Sequence, residues 1–128
     1  MDLVWEYLTL AISVMTGVQA EKTACFADFH REYNRKVTRM RMIANKIEQD
    51  HPELKERFCA MLTHECRGVR LWATHHMLEV MNFPAEQRKA ALRIIRREAR
   101  TNALSCGFGE RIWLRDWYRL HPKDRWLR

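Results

Sequence analysis

Apolar residues recur at steps of three and four along almost the whole chain, which is the spacing of one face of an α-helix. In the first segment they run from Leu3 through Tyr7 and Ala11 to Val14, and Gly17 is predicted to end that helix. No sustained alternation of apolar and polar residues, and no Asn-Gly or Asp-Gly hairpin, indicates a strand. The pattern therefore predicts an all-α fold.

Proline, glycine and polar residues divide the rest of the chain. A long helix is predicted over about 22–50, and Pro52 and Pro84 each begin a helix, where the missing N–H is not needed. Breaks are predicted at 64–68 and 105–109. The positions expected to face inward are Val37, Met40, Ile43, Ala44, Ile47, Leu54, Phe58, Met61, Leu62, Val69, Trp72, Ala73, Met77, Val80, Leu92, Ile95, Ala99, Ile112, Trp113, Trp117 and Leu120.

These segments group into three helix pairs, at 2–50, 52–82 and 84–120. Stacked pairs bury a shared core that no single pair can bury alone. We therefore expect residues 1–128 to form a single domain, a short right-handed α-α superhelix of about six helices.

The order of certain residues resembles the HEAT repeat, with a Pro-led first helix and a Val-Arg-led second helix. From Tyr33 to Trp117 the chain is similar to a small family of uncharacterised bacterial HEAT-like proteins. The residues that carry these resemblances are Pro52-Glu53-Leu54, Met61-Leu62, Val69-Arg70, Ala73 and Leu78 for the repeat, and Tyr33-Asn34-Arg35 and the late Trp117 for the family. The resemblance implies a fold and no cofactor or catalytic activity. It also implies that Arg70 bridges the turns of neighbouring repeats, with Asp116 or Glu65 as its partner.

Composition excludes a disordered or low-complexity chain, because 47% of the 128 residues are hydrophobic and only four are Gly. The formal net charge of +7 is not spread evenly. Residues 1–84 are neutral, whereas residues 85–128 carry the whole excess. The last third of the chain is therefore the part expected to meet an anionic partner.

Within that third, five cations follow one face of the helix over 84–103. The apolar residues of the same helix lie opposite, and Glu98 is the acidic residue expected to relieve the cations. The alternative interpretation, a solvated surface, stands beside the hypothesis of an anion-binding ridge. The ridge consists of Lys89, Arg93, Arg96, Arg97 and Arg100.

Aromatic residues alternate with arginines over the last 18 residues. Rings that stack and guanidinium groups that bind anions occur in single-stranded nucleic-acid sites and in protein hot spots alike. Trp113 and Trp117 are predicted to close the last helix pair, whereas Trp126 is predicted to be exposed. Arg111, Arg115 and Trp126 therefore join the ridge as predicted partner-binding residues.

Metal and catalytic sites are not predicted. A structural zinc site needs ligands at short spacing, which is not found among Cys59, His64, Cys66, His75 and His76. We therefore expect core thiols and a turn-capping His64. Side chains that are neighbours in sequence seldom converge on one face. This argues against catalytic groups made of His30 with Glu32, or of His64 with Glu65 and Cys66. We expect no enzyme, no metal and no cofactor.

The segment 7–20 is uncharged but shorter than the roughly 20 residues of a membrane span. Acidic Asp2 and Glu6 before it argue against a secretory signal. Four cysteines without a C-x-x-C pair are expected to be free thiols. The expected location is the cytoplasm, away from the membrane, and the oligomeric state is left open, as is whether the first helix packs within the chain or against a second copy.

Two functions are compatible with these features. The first is a non-enzymatic protein-binding module, in its narrowest form an immunity-type antagonist of a bacterial toxin, which covers an acidic protein surface with the ridge. The alternative is a nucleic-acid-binding protein that uses the same ridge and the C-terminal aromatics.

Overall fold

The computed structural model describes residues 2–20, 26–101 and 105–127, and in those ranges every regular element is helical. This confirms the all-α prediction, and the six α-helices agree with the expected number. The superhelical arrangement and the single domain stay predictions. The α-helices are α1 (Leu3–Ala20), α2 (Phe26–Asp50), α3 (Lys55–Cys59), α4 (Arg67–Glu79), α5 (Ala85–Thr101) and α6 (Ser105–Leu120). Short 3-10 helices occupy Pro52–Leu54, Ala60–Thr63 and Pro122–Trp126.

Contacts between residues divide the chain into two compact units. The N-terminal unit, Met1–Asn82, contains α1 to α4, and the C-terminal unit, Phe83–Arg128, contains α5 and α6. None of the helices in the described ranges combines the length and apolar character that a membrane span requires.

Several predicted helix boundaries are wrong, and the glycines explain two of them. Gly17 lies inside α1, and the predicted break at 105–109 is the beginning of α6. No glycine in the described ranges adopts a positive φ, so these glycines act as small helical residues and do not end their helices. Gly68 likewise lies in the first turn of α4, where it is buried.

The core of the N-terminal unit contains most of the residues predicted for it. α1 packs against both α2 and α4, which answers the open question about the first helix: it packs within the chain. The buried apolar side chains of this unit are Val4, Tyr7, Ala11, Val14, Met40, Ile43, Ala44, Ile47, Phe58, Met61, Leu62, Val69, Ala73, Met77, Leu78 and Met81.

One polar pair lies inside this apolar core. The hydroxyl of Tyr7 donates to Nδ1 of His76 at 2.5 Å, and both side chains are buried. Phe58 contacts the Tyr7 ring edge-on, and Trp72 stacks on the His76 ring. Burial, helped by nearby Arg41 and His75 and opposed by Glu79, lowers the pKa of His76 to about 4. His76 is therefore neutral near pH 7, so that Nδ1 can accept a hydrogen bond from the Tyr7 hydroxyl.

The C-terminal unit is held by the packing of α5 on α6. Leu92, Ile95 and Ala99 of α5 are buried as predicted, and Leu114 joins Trp117 on the buried side of α6. Leu120 was predicted to face inward, but it is 71% exposed. It is the last residue of α6, where the chain leaves the helix for the C-terminal 3-10 helix.

We predict that acid weakens the N-terminal core through His76. Between its ordinary pKa of 6.5 and about 4, the unfolded chain binds a proton that the folded chain excludes. The free energy of unfolding should therefore be fully retained above pH 6.5 and decrease as the pH falls through that window, by up to roughly 3 kcal/mol. Urea denaturation at a series of pH values measures this slope.

The control separates His76 from every other titrating group. His76→Gln should lose the slope between pH 6.5 and 4, whereas the surface variant His51→Gln should retain it. An unchanged slope in His76→Gln would show that protonation of this pair does not set the acid sensitivity.

Candidate anion-binding site

The cationic residues of α5 are distributed as the sequence predicts, but their environments differ. Arg93, Arg97 and Arg100 are exposed, and no carboxylate of the described residues pairs with them, whereas Lys89 and Arg96 are half-buried. Glu98, expected to relieve the ridge, instead lies on the buried side of the helix. Lys89 forms an ion pair with Glu86, whose carboxylate lies 3.8 Å from Nζ. Within the described residues, Lys89 is thus the ridge cation that has an ion-pair partner.

Arg96 is fixed in place by neutral acceptors. Its Nε donates to the hydroxyl of Tyr118 at 2.7 Å, and its two terminal nitrogens donate to the main-chain oxygens of Leu127 at 2.5 Å and Asp124 at 2.6 Å. The guanidinium also lies over the Tyr118 ring. Because none of these acceptors is a carboxylate, Arg96 is held rigidly while its positive charge is not neutralised.

Arg88, on the same helix, shows the opposite arrangement. It donates to the carboxylate of Asp124, which is buried and also accepts a hydrogen bond from Trp117 Nε1 at 2.8 Å. We call the side chains of Arg88, Trp117 and Asp124 the latch, because together they attach the C-terminal 3-10 helix to α5 and α6. The last helix predicted from the sequence ends before Pro122, and this latch is not predicted. The signal for it was Pro122 at a helix start, followed two residues later by an acidic side chain.

A stack of rings supports the latch from α6. Trp113 and Trp117 stack with their centroids 4.8 Å apart, and His121 stacks on Trp117 at 3.8 Å. Spacing of four residues places these rings on one face of the helix. Trp117 is buried as predicted, so its indole N–H needs the partner that Asp124 supplies.

α5, α6 and the C-terminal 3-10 helix together enclose a cationic groove. Its volume of about 440 Å³ lies within the range of ordinary ligand sites, roughly 300–1,000 Å³. No acidic and no aliphatic residue is among those that line it. We call it the first groove, and its lining residues are Lys89, Arg93, Arg96, Arg100, Tyr118 and Arg125.

A second groove lies beside the first and shares Tyr118 and Arg125 with it. Leu114, which is 9% exposed, is the aliphatic residue of its lining. Arg111 donates to the main-chain oxygen of Ala99 at 2.7 Å, close to the end of α5, and its guanidinium lies over the exposed Phe108 ring. The residues that line the second groove are Arg111, Leu114, Arg115, Tyr118, Arg119 and Arg125.

Six of the predicted partner-binding residues line one of the two grooves, and two line neither. Four line the first groove, namely Lys89, Arg93, Arg96 and Arg100; two line the second, namely Arg111 and Arg115. Arg97 is exposed but lines neither groove. Trp126 is 76% exposed, as predicted, and follows Arg125 in the C-terminal 3-10 helix. The predicted set omits Tyr118 and Arg125, although both belong to the alternating aromatic and arginine pattern that nominated Trp126.

The cysteines and histidines considered for zinc make other contacts. Cys59 and Cys66 are half-buried free thiols, and burial, with a contribution from Glu56, raises the pKa of Cys59. The Nδ1 atom of His64 accepts the backbone N–H of Cys66 at 3.0 Å, which confirms the turn-capping role of His64. Among the described residues no group of three or more potential ligands is placed to hold a metal ion. The predictions for Cys25, Cys106 and His30 lie outside the described side chains.

Arg70 does not use the carboxylate partner that the HEAT resemblance implies. Its Nη1 donates to the main-chain oxygens of His64 at 2.6 Å and Glu65 at 3.0 Å. These carbonyls belong to the turn directly before α4. Arg70 therefore closes its own turn by binding carbonyl groups that would otherwise face solvent unpaired.

Protein-family models, curated proteins and solved structures were each compared with this chain, and none of them matches it. The HEAT-like resemblance thus stays a prediction.

We predict that Asp124→Asn destabilises the C-terminal unit. The amide retains an acceptor for Trp117 but removes the charge that compensates Arg88, so the free energy of unfolding should fall by about 2 kcal/mol. Chemical denaturation followed by tryptophan fluorescence measures the change.

Asp116→Asn is the matched control, because its exposed carboxylate contacts Arg115 and Arg119 at 3.2 and 3.9 Å. Loss of such surface pairs should cost less than about 0.5 kcal/mol. Equal effects of the two substitutions would contradict the assignment of Asp124 as the residue that fixes the C-terminal 3-10 helix.

Proposed function

We propose that this chain is a non-enzymatic binding module that recognises an acidic protein partner through its C-terminal unit. The observation that carries the proposal is the second groove, which four arginines line together with Leu114 and Tyr118. A partner segment that combines carboxylates with an apolar side chain would satisfy both features. In its narrowest form the proposal is an immunity-type antagonist that covers an acidic site on a bacterial toxin.

The residue types around the grooves support a protein interface. Arginine, tyrosine and tryptophan are the residues in which binding energy most often concentrates, because each combines a large contact surface with polar groups. Tyr118 stands between the two grooves, and the side chains of Phe108 and Trp126 are 58% and 76% exposed. These aromatic rings would be buried on association, while the arginines would pair with carboxylates.

Nucleic-acid binding is the second candidate, and the polar, cationic lining of the first groove is compatible with it. The lining there is a set of cations and one tyrosine, with no aliphatic side chain. Protein–nucleic-acid interfaces are more polar and more positive than protein–protein interfaces, because they contact phosphates. Trp126 could then stack on a base.

The double variant Arg115→Glu/Arg119→Glu tests the proposal. Both side chains are more than 70% exposed, so reversing their charge should leave the fold intact while it repels an acidic partner across the second groove. Immobilised wild-type chain should capture a protein from a lysate of its source cells. The double variant should bind the purified form of that protein at least roughly tenfold more weakly.

Arg97→Glu is the control, since it changes the charge of an exposed arginine that lines neither groove. Its affinity should stay within roughly threefold of wild type. Capture that is abolished by nuclease treatment would favour the second candidate. An unchanged affinity in Arg115→Glu/Arg119→Glu would contradict the role of the second groove.

A further inference from the structure

We infer that the first groove is a pocket for a phosphate monoester, carried by a phosphorylated side chain of the protein partner. The inference rests on the proposed function, because it assigns a ligand chemistry to one half of the same surface. It goes beyond that proposal because it requires the partner to carry a compact dianion at one place, in addition to an acidic surface.

The cations of the first groove surround one pocket from two directions. Lys89, Arg93, Arg96 and Arg100 belong to α5, whereas Arg125 belongs to the C-terminal 3-10 helix. Tyr118 of α6 adds a hydroxyl group. In the described part of the chain, Arg93, Arg100 and Arg125 have no carboxylate partner, so the positive charge in this pocket is largely uncompensated.

Arg96 and Tyr118 make the interior of the groove a prepared site. Three neutral acceptors fix the guanidinium of Arg96, which has five N–H donors, so donors remain for a ligand. The Tyr118 oxygen accepts from Arg96, and its own proton is therefore free to be donated to an oxyanion. A ligand would not have to order these two groups, and that lowers the entropic cost of binding.

The number and arrangement of the donors favour a phosphate monoester over other anions. A carboxylate carries one charge on two oxygens in a plane, and a guanidinium fork occupies both of them. A phosphate monoester carries about −1.5 to −2 and presents three oxygens in three directions, which suits donors from α5, α6 and the 3-10 helix. The phosphodiesters of a nucleic-acid strand carry one charge each, so none of them offers the dianion that several donors around one pocket would stabilise.

Calorimetric titration at constant ionic strength tests the inference with five probes. Inorganic phosphate should bind, and acetate should not. A short peptide with one phosphoserine should bind at least roughly tenfold more tightly than the same peptide with glutamate in that position. It should also bind more tightly than an oligonucleotide that lacks a terminal phosphate.

Variants then place the binding in the first groove. Arg93→Gln and Arg100→Gln each remove one unpaired guanidinium, and each should weaken phosphopeptide binding roughly tenfold. Tyr118→Phe keeps the ring but removes the hydroxyl donor, so it should weaken binding several-fold. Arg97→Gln, on the same helix but outside the groove, should bind like wild type.

Three results would overturn the inference. They are equal affinity for phosphate and acetate, equal losses in Arg97→Gln and Arg93→Gln, and tighter binding of the unphosphorylated oligonucleotide than of the phosphopeptide. Any of these can occur while the captured protein still binds through Arg115 and Arg119. Failure of the phosphate pocket is therefore distinguishable from failure of the proposed function.

Discussion

The contact between Arg88 and the buried carboxylate of Asp124 is the constraint on which the candidate site depends. It attaches the C-terminal 3-10 helix to the α5–α6 hairpin, and the N–H group of Trp117 completes the attachment. The same 3-10 helix supplies Arg125, a residue common to both grooves, and the main-chain oxygens that hold Arg96. Without this attachment the grooves would lose a shared lining residue and the support of their most rigid cation.

Two arginines on one helix, Arg88 and Arg96, have opposite electrostatic environments. Arg88 is neutralised by a carboxylate and serves the fold, whereas Arg96 is bound by carbonyl and hydroxyl oxygens and keeps its charge. Part of the excess of +7 in the sequence thus stays available to anions at the first groove. Arg93 and Arg100 keep their positive charge at the first groove. Arg96 keeps its charge as well and is also fixed in place by hydrogen bonds.

The sequence was sufficient for the helices and for most of the core, because three- and four-residue periodicity reports directly on the face that each helix buries. It misplaced the boundaries at Gly17 and at 105–109, where glycine adopts helical φ and so gives no turn. Periodicity also found the ridge on α5. It could not find the grooves, because Tyr118 and Arg125 join that ridge through tertiary contacts of α6 and the 3-10 helix. The role of Asp124 was equally hidden, since a carboxylate in a polar tail resembles a solvated one until its partner is known.

The central claim is that the arginines lining the grooves, and not the total charge, recognise the partner. Nuclear magnetic resonance of the arginine Nε–H groups during titration with the purified partner, or with phosphate, tests it most directly. The account predicts that the signals of Arg93, Arg96 and Arg100 shift with saturation, while those of Arg88 and Arg97 stay in place. Equal shifts of all five signals would mean that the surface attracts anions diffusely, and would contradict the account.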